Sequence, residues 1–431
     1  MSIFSPAHDS PIRLRAFRFY LSGMLLGVLA IQIQTVAVAW QVYQLTKADH
    51  ATAALALGGV GLAEVIPFVG SVLFAGHIAD KNNRHVIACS ALASMTVLGL
   101  ILFIPSQLET VWLQLTILYG VVTLGGLARS FLSTSRQAMI AEILQRSQIP
   151  VGIRWRNTLF ELASVIGPGM AGFMLWIGGD QLCYSVMSLL MLGAFLSTLA
   201  VRTTHKLQSQ SDESIWQSLR AGINFMRSQR VMLGAFTLDL FAVLLGGAVA
   251  LLPLFAEMLQ VGALGFGLLR AASSCGAVIM SIYLIFRPPF RHAGYALYGS
   301  FAVFGLCMIG FGLSIPLSTW LGYGLQLAFV LSFIFLFISG AADAVNVIIR
   351  QTILQTRVPP SMMGRVSAVT AVFIGCSNEL GMAESGIAAR LLGTVNSVVI
   401  GGLAVFGVMG VTAIQFPELA KLRHVDEGLS E

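Results

Sequence analysis

Long apolar runs separated by short polar segments dominate the chain from end to end. A helix needs about 20 mainly apolar residues to cross a bilayer. The runs are continuously apolar rather than alternating, which predicts membrane-spanning helices and excludes the strands of a β-barrel. Twelve spans are predicted, at roughly 17–45, 53–79, 85–105, 111–133, 156–178, 181–201, 231–258, 264–286, 294–315, 319–343, 365–389 and 395–415.

Composition agrees with this pattern. Of 431 residues, 56% are hydrophobic and 10% are charged, whereas soluble chains carry about 25% charged residues. A soluble globule, a disordered chain and a nucleic-acid-binding protein are therefore excluded. The five cysteines form no C-x-x-C pair, so neither a disulfide framework nor a zinc site is indicated. The predicted fold class is an all-α integral membrane protein with twelve transmembrane helices.

Basic residues set the orientation. With the N-terminus in the cytoplasm, 22 of the 25 Lys and Arg residues fall on the cytoplasmic side. The other three, Lys47, Arg270 and Arg390, fall on or near the far side. This asymmetry predicts a multi-pass membrane protein with both termini in the cytoplasm.

The longest polar interruption predicts the domain boundary. We expect a six-helix half at 1–201, a cytoplasmic linker at 202–230, a second half at 231–415 and a cytoplasmic tail at 416–431. Residues 218–227 of the linker have the pattern of an amphipathic helix on the inner membrane surface. No segment is long enough for a soluble catalytic domain.

The two halves resemble each other at an offset of 214 residues. The matched positions are Arg136-Gln137 with Arg350-Gln351, Gly167 with Gly381, and Gly172 with Gly386. This repeat predicts two parallel six-helix halves with a central cavity between them. No P-loop occurs and no histidine lies mid-membrane, so we expect an energy source other than nucleotide, and neither a cofactor nor a bound metal.

Residues 76–85, between spans two and three, read Gly-His-Ile-Ala-Asp-Lys-Asn-Asn-Arg-His. This segment resembles the G-x-L-A-D-R-x-G-R-[KR] signature of the major facilitator superfamily, with Gly76, Asp80 and Arg84 at matching positions. Asn83 replaces the second glycine, and asparagine is one of the few residues that visit the left-handed backbone region readily. The resemblance implies the fold of that family and secondary active transport.

Further segments extend the resemblance. Arg129 and Arg136-Gln137 after span four look like a segment of bacterial efflux members, and Gly167-Pro168-x-x-Ala171-Gly172 is similar to the core of the antiporter motif. Its upstream glycines are not evident, which weakens the inference of export. Segments including Ala341-Ala342-Asp343 and Ser377–Gly381 resemble drug and siderophore exporters grouped with the enterobactin exporter. Proton-coupled export is therefore implied.

Ionisable side chains at membrane depth cost about 2.5–3.5 kcal/mol each on insertion scales, so they are candidates for function. Glu64 in span two is the leading proton-coupling candidate, because burial favours the neutral carboxyl. Asp239, Glu161 and Glu379 are further candidates. A structural carboxyl bonded to a neighbouring helix remains the alternative for Glu64.

Charged residues near the cytoplasmic ends of the spans are candidates for gating. We expect Asp80 to pair with Arg129, and Asp343 to pair with a nearby arginine, so that breaking each pair shifts the balance of inward-open and outward-open states. The signature and repeat residues complete this set: Gly76, Arg84, Arg136 and Arg350.

Polar residues inside spans one and eleven are candidates for the substrate cavity: Gln34, Trp40, Gln41, Asn378 and Glu384. An aromatic and amide lining fits a large, partly aromatic solute, and interhelical hydrogen bonding is the open alternative. Gly167, Pro168 and Gly172 are expected to serve helix packing.

The first hypothesis is a proton-coupled exporter of a siderophore or amphiphilic drug-like molecule. An importer of a siderophore or nutrient in the same fold is the alternative, and a non-transporting receptor is the third. No clustered nucleophile or acid supports an enzyme. The expected partners are a small-molecule substrate, protons and the lipid bilayer, with no nucleic acid, and we expect a monomer.

Overall fold

The structure is a computed structural model that describes residues 11–145, 148–201, 215–287, 290–359 and 362–422. Every regular element within these ranges is helical, which confirms the all-α membrane fold. The chain forms two compact units: the first contains 1–41 and 66–211, and the second contains 42–65 and 212–431. The first half of the second span therefore packs with the second unit, which the repeat did not predict.

Five long helices cover the N-terminal part of the chain, with short 3-10 turns at Pro11–Arg13 and Pro105–Gln107. They are α1 (Arg15–Thr46), α2 (His50–Lys81), α3 (Arg84–Ile101), α4 (Val111–Ile143) and α5 (Ile149–Leu199). In the first unit, α3 packs against both α4 and α5. These helices have apolar residues on most faces, as expected for segments surrounded by lipid and other helices.

Ten helices follow, with a 3-10 turn at Val249–Leu251. They are α6 (Ile215–Ser228), α7 (Arg230–Gly246), α8 (Leu252–Met258), α9 (Gly262–Ile285), α10 (Ala293–Gly312), α11 (Ser314–Trp320), α12 (Leu325–Arg357), α13 (Met363–Leu392), α14 (Thr394–Gln415) and α15 (Pro417–Ala420). In the second unit α12 packs against α9 and α10, while α7 packs against α13 and α14.

Within the described ranges, ten helical stretches are long and apolar enough to cross a membrane. One of them is α5, whose 51 residues break at Gly179 (φ 62°, ψ −162°). A left-handed φ suits glycine and interrupts the helical path, so α5 covers the two predicted spans 156–178 and 181–201. The 30-residue α13 covers the predicted span 365–389.

The predicted span 231–258 matches a stretch at Arg230–Met258 that is long and apolar enough to cross a membrane. This stretch is interrupted, because α7 ends at Gly246 and α8, with Pro253 in its first turn, follows the 3-10 turn; proline suits the first turn of a helix. The run 319–343 begins too early, because α11 is a separate short helix and α12 starts at Leu325. Glycines at 322 (φ 77°) and 324 separate α11 from α12.

Two other predictions extend beyond the described residues. The amphipathic helix predicted at 218–227 lies inside α6, but 202–214 of the predicted linker lie outside the described part of the chain. The predicted tail is described as far as residue 422. The four domain boundaries thus stay predictions.

Candidate functional site

Three helices of the second unit bring ionisable side chains together at membrane depth. Arg270 on α9 interacts electrostatically with the carboxylates of Glu379 on α13 and Glu64 on α2. Glu64 is 8% exposed. Arg270 lies eight residues into α9, about 12 Å from the start of that helix. Arg270 is partly buried, and with all three groups ionised the cluster carries one excess negative charge.

Close backbone packing holds α2 against α13 beside this cluster. A Cβ added at Gly386 would lie 2.5 Å from the Ala54 carbonyl oxygen, and one at Gly61 would lie 2.8 Å from the Glu379 carbonyl oxygen. Gly58 fits equally closely, with Gly386 Cα 3.1 Å from its added Cβ. Small residues let transmembrane backbones approach in this way, so the glycines fix the positions from which Glu64 and Glu379 extend.

A buried ion pair lies elsewhere in the second unit. Arg350 on α12 pairs with Asp239 on α7, and both side chains are about 5% exposed. Asn346 donates a hydrogen bond from Nδ2 to Asp239 Oδ1 at 2.7 Å. The guanidinium carbon of Arg350 also lies 5.4 Å from the ring centre of Phe236. Asp239, predicted as a proton carrier, is therefore neutralised by an arginine.

Asp343 was predicted to pair with a nearby arginine, but its described hydrogen bond comes from an asparagine. Asp343 Oδ1 accepts a hydrogen bond of 3.4 Å from Nδ2 of Asn346, three residues along the same helix, while Arg350 pairs with Asp239. One helical turn separates Asp343 from Asn346, and a second turn leads to Arg350, so all three lie along one side of α12.

Further polar contacts lie at the break between α7 and α8. The backbone carbonyl of Gly247 accepts a hydrogen bond from Ser385 Oγ on α13 at 2.6 Å. Glu384 and Ser385 line a small cavity here together with Gly246, Gly247 and Ser397. A buried carbonyl freed from a helix needs such a partner.

In the first unit, the repeat partner of Arg350 meets a different environment. Arg136 on α4 donates to the Gly23 carbonyl of α1 at 3.0 Å, and its guanidinium fills the space where a Cβ of Gly27 would stand. The hydroxyl of Tyr20 donates to the Arg136 carbonyl at 3.1 Å. Arg136 therefore joins α4 to α1 through backbone carbonyls.

In the turn between α2 and α3, which contains the family signature, Asn83 has a different role from the one we expected. Asn83 has φ −67° and ψ 108°, and its side chain accepts hydrogen bonds from the amides of His85 and Val86. The left-handed conformation expected at Asn83 is thus wrong, because the side chain serves instead as the N-cap of α3. Arg84 pairs with Glu142 of α4 at 3.2 Å, with both side chains largely buried.

The structure describes only part of the predicted gating pair of Asp80 and Arg129. Gly76 and Asp80 lie in the last turns of α2, but their side-chain positions lie outside what the structure describes. Arg129 lies partly buried on α4, so its pairing with Asp80 stays a prediction.

The glycine-proline segment of α5 lies against α1. A Cβ at Gly167 would stand 2.5 Å from Cβ of Gln32, and Pro168 lies inside the helix. Gly172 is buried one turn further on. The repeat partner of Gly167, Gly381, packs in the same manner against the backbone of α7.

The predicted cavity residues differ in exposure. Gln34 and Trp40 are buried in α1, and Gln41 Oε1 accepts a hydrogen bond of 2.5 Å from the hydroxyl of Tyr184. This contact favours interhelical bonding for Gln41. Asn378 on α13 and Glu161 on α5 are exposed.

Sequence reasoning missed two residues of these clusters. Arg270 was placed on or near the far side of the membrane, although an arginine within an apolar run is itself a signal of function. Asn346 is neutral, and its role depends on its hydrogen bond to Asp239, which lies far away in the sequence. No local sequence pattern therefore identifies Asn346.

Comparisons with known proteins agree with the fold. The family model described as Major Facilitator Superfamily matches residues 20–382. Enterobactin exporter EntS of Escherichia coli (strain K12) is 25% identical over 419 residues, which cover 95% of this chain and 93% of that protein. EntS of Shigella dysenteriae serotype 1 (strain Sd197) has the same identity and coverage.

Solved structures give the same result for the fold alone. A D-xylose-proton symporter aligns with a TM-score of 0.73 at 12% identity, over 98% of this chain and 100% of that chain. A bacterial homologue of the iron transporter ferroportin, in an inward-facing state, aligns with a TM-score of 0.66 at 14% identity, over 95% and 99%. The chain therefore belongs to the Major Facilitator Superfamily, and it is a multi-pass membrane transporter.

Proposed function

We propose that this transporter exports a siderophore, or a similar amphiphilic small molecule, across a bacterial inner membrane in exchange for protons. Both termini would lie in the cytoplasm, in keeping with the basic residues on that side. Similarity to an enterobactin exporter along nearly the whole chain supports the cargo class and the direction.

Proton coupling rests on one observation, the cluster of Glu64, Glu379 and Arg270 on three apolar helices. Two carboxylates and one guanidinium have a net charge of about −1 when all are ionised, so binding of a single proton makes the cluster neutral. The closely packed glycines of α2 and α13 lie beside these carboxylates. A change in charge there would alter how firmly α2 holds α13, which links protonation to a change of conformation.

Transport in everted membrane vesicles tests this proposal. Respiration acidifies the vesicle interior, and a pH-sensitive dye reports the gradient. We expect enterobactin, used as the probe, to dissipate the gradient in vesicles that contain the wild-type protein. Glu64→Gln should reduce the response to that of vesicles lacking the protein, because the glutamine cannot exchange a proton.

Glu109→Gln is the matched control, because it removes a carboxylate from an exposed loop between α3 and α4. It should leave the response unchanged. Equal responses from wild type and Glu64→Gln would refute the coupling role of Glu64. Accumulation of the probe by right-side-out cells, without dissipation in everted vesicles, would instead indicate import.

A further inference from the structure

One amide group serves two carboxylates in the second unit. Asn346 Nδ2 donates to Asp239 at 2.7 Å and to Asp343 at 3.4 Å. Asp239 also has Arg350 as its ion-pair partner. Asp239 thus holds a cation and a short hydrogen bond, whereas the contact of Asp343 with the same amide is long and weak.

A small cavity lies beside Asp343. Its volume is about 10 Å³ and its lining includes Asp343, Asn346 and Ser300. This is about the space that one water molecule occupies. Phe301 and Phe304 form apolar walls, so a charge placed there would be poorly solvated.

An acceptor in the lining is left over. Asn346 is 2% exposed, and within the described ranges its Oδ1 atom has no hydrogen-bond partner. A buried acceptor without a donor costs about 1–3 kcal/mol, so such an atom calls for an explanation. Because Asn346 lines the cavity beside Asp343, a donor placed in that cavity is the simplest partner for this atom.

The surrounding charges do not balance. The helices packed against α12 in this unit are α7, α9, α10 and α11. α7 contributes Asp239 and α12 itself contributes Arg350, while α10 lines the cavity with Ser300 and two phenylalanines. α11 carries no charged residue, and Arg270 of α9 acts on Glu64 and Glu379. One arginine therefore faces two aspartates.

We propose that Asp343 is a second proton-binding residue of this unit, separate from the cluster of Glu64, Glu379 and Arg270. A proton on Asp343 removes the surplus negative charge and supplies the missing donor, because the new O–H donates to Asn346 Oδ1 directly or through one water in the cavity. Arg350 stays the ion-pair partner of Asp239 in both states. This inference rests on the proposed proton coupling and names a second group that would bind a proton, besides Glu64.

Infrared difference spectroscopy of the purified protein between acidic and alkaline pH tests the assignment without any substrate. A protonated carboxyl has a C=O stretching band that shifts in D2O. We expect the wild-type spectrum to contain a buried-carboxyl band that Glu64→Gln retains and Asp343→Asn loses. Asp239→Asn and the exposed control Asp49→Asn should retain it.

Asn346→Leu gives a second measurement if an aspartate variant fails to fold. Removal of the acceptor should move the Asp343 band to the higher frequency of a more weakly bonded carboxyl. Loss of the band in Asp239→Asn but not in Asp343→Asn would overturn the assignment. A titration midpoint that moves when NaCl replaces choline chloride would also overturn it, in favour of a sodium site. Failure of siderophore transport would leave the band unaffected, so the two proposals can fail separately.

Discussion

The ion pair between Asp239 and Arg350 allows a quantitative test of the packing of α7 against α12. Asp239→Asn leaves the buried Arg350 guanidinium without its counter-ion. Removing one partner of a buried pair costs about 3–5 kcal/mol. The new asparagine keeps one acceptor oxygen, and the ring of Phe236 at 5.4 Å still faces the guanidinium. We therefore expect a loss near the lower limit, about 3 kcal/mol in the free energy of unfolding.

Equilibrium unfolding in mixed detergent micelles, followed by tryptophan fluorescence, measures this loss. The double variant Asp239→Leu with Arg350→Met removes both charges and replaces them with apolar groups of similar size. Such replacements are often neutral or stabilising, so the double variant should recover most of the stability that Asp239→Asn loses.

The exposed pair of Arg230 with Glu418 provides the control. Its atoms are 2.9 Å apart, but its side chains are 68% and 43% exposed, and exposed pairs contribute little. Glu418→Gln should leave the unfolding curve unchanged. If Asp239→Asn and the double variant lose equal stability, or if Glu418→Gln costs as much as Asp239→Asn, burial of the pair is not what determines its energy.

Two further predictions concern helix packing and a helix end. Gly276→Ala should lower the thermal midpoint in detergent, because its Cβ would collide with the Phe337 carbonyl of α12, and overpacking costs about 1–3 kcal/mol. Gly407→Ala is the control and should leave the midpoint unchanged, because nothing lies within 4 Å of a Cβ there. Equal effects of the two substitutions would contradict the proximity of α9 and α12. Hydrogen bonds from Thr52 lower the pKa of Asp49, so at pH values above the ordinary aspartate pKa of about 3.9 the carboxylate should raise the hydrogen-exchange protection factors of the first amides of α2, and it should lose this effect as pH falls through the lowered pKa. Asp49→Ala should remove this protection, and protection factors that are equal at neutral and strongly acidic pH would refute the cap.

Hydropathy predicts the membrane helices well, because each span must satisfy its own backbone and bury its own apolar surface. The break after Gly246 was also readable, since two glycines and Pro253 interrupt the run. Side-chain partners were not readable. The repeat identified Arg136 and Arg350 as equivalent, but only the fold shows that one meets carbonyls and the other a carboxylate.

A residue that replaces glycine in a family motif does not necessarily adopt the backbone conformation of that glycine. A glycine in the family signature indicates backbone freedom, and asparagine was expected to supply it. Asn83 instead uses its side-chain oxygen to cap α3, which satisfies amides that a glycine leaves open. The ion pair of Arg84 with Glu142 joins residues 58 positions apart, so no local pattern predicts it.

The two arginines of the repeat have diverged in what they can respond to. At the offset of 214, Asp239 corresponds to Leu25, which lies between the two glycines that receive Arg136. A carbonyl acceptor is neutral at every pH, whereas an aspartate brings a formal charge to the contact. The contact of Arg136 is therefore a fixed support between α1 and α4, whereas the contact of Arg350 with Asp239 shares the amide of Asn346 with a second acid, Asp343. A change of charge on Asp343 would thus act on the packing of α7 against α12, while the carbonyl contact of Arg136 has no acid among its own members.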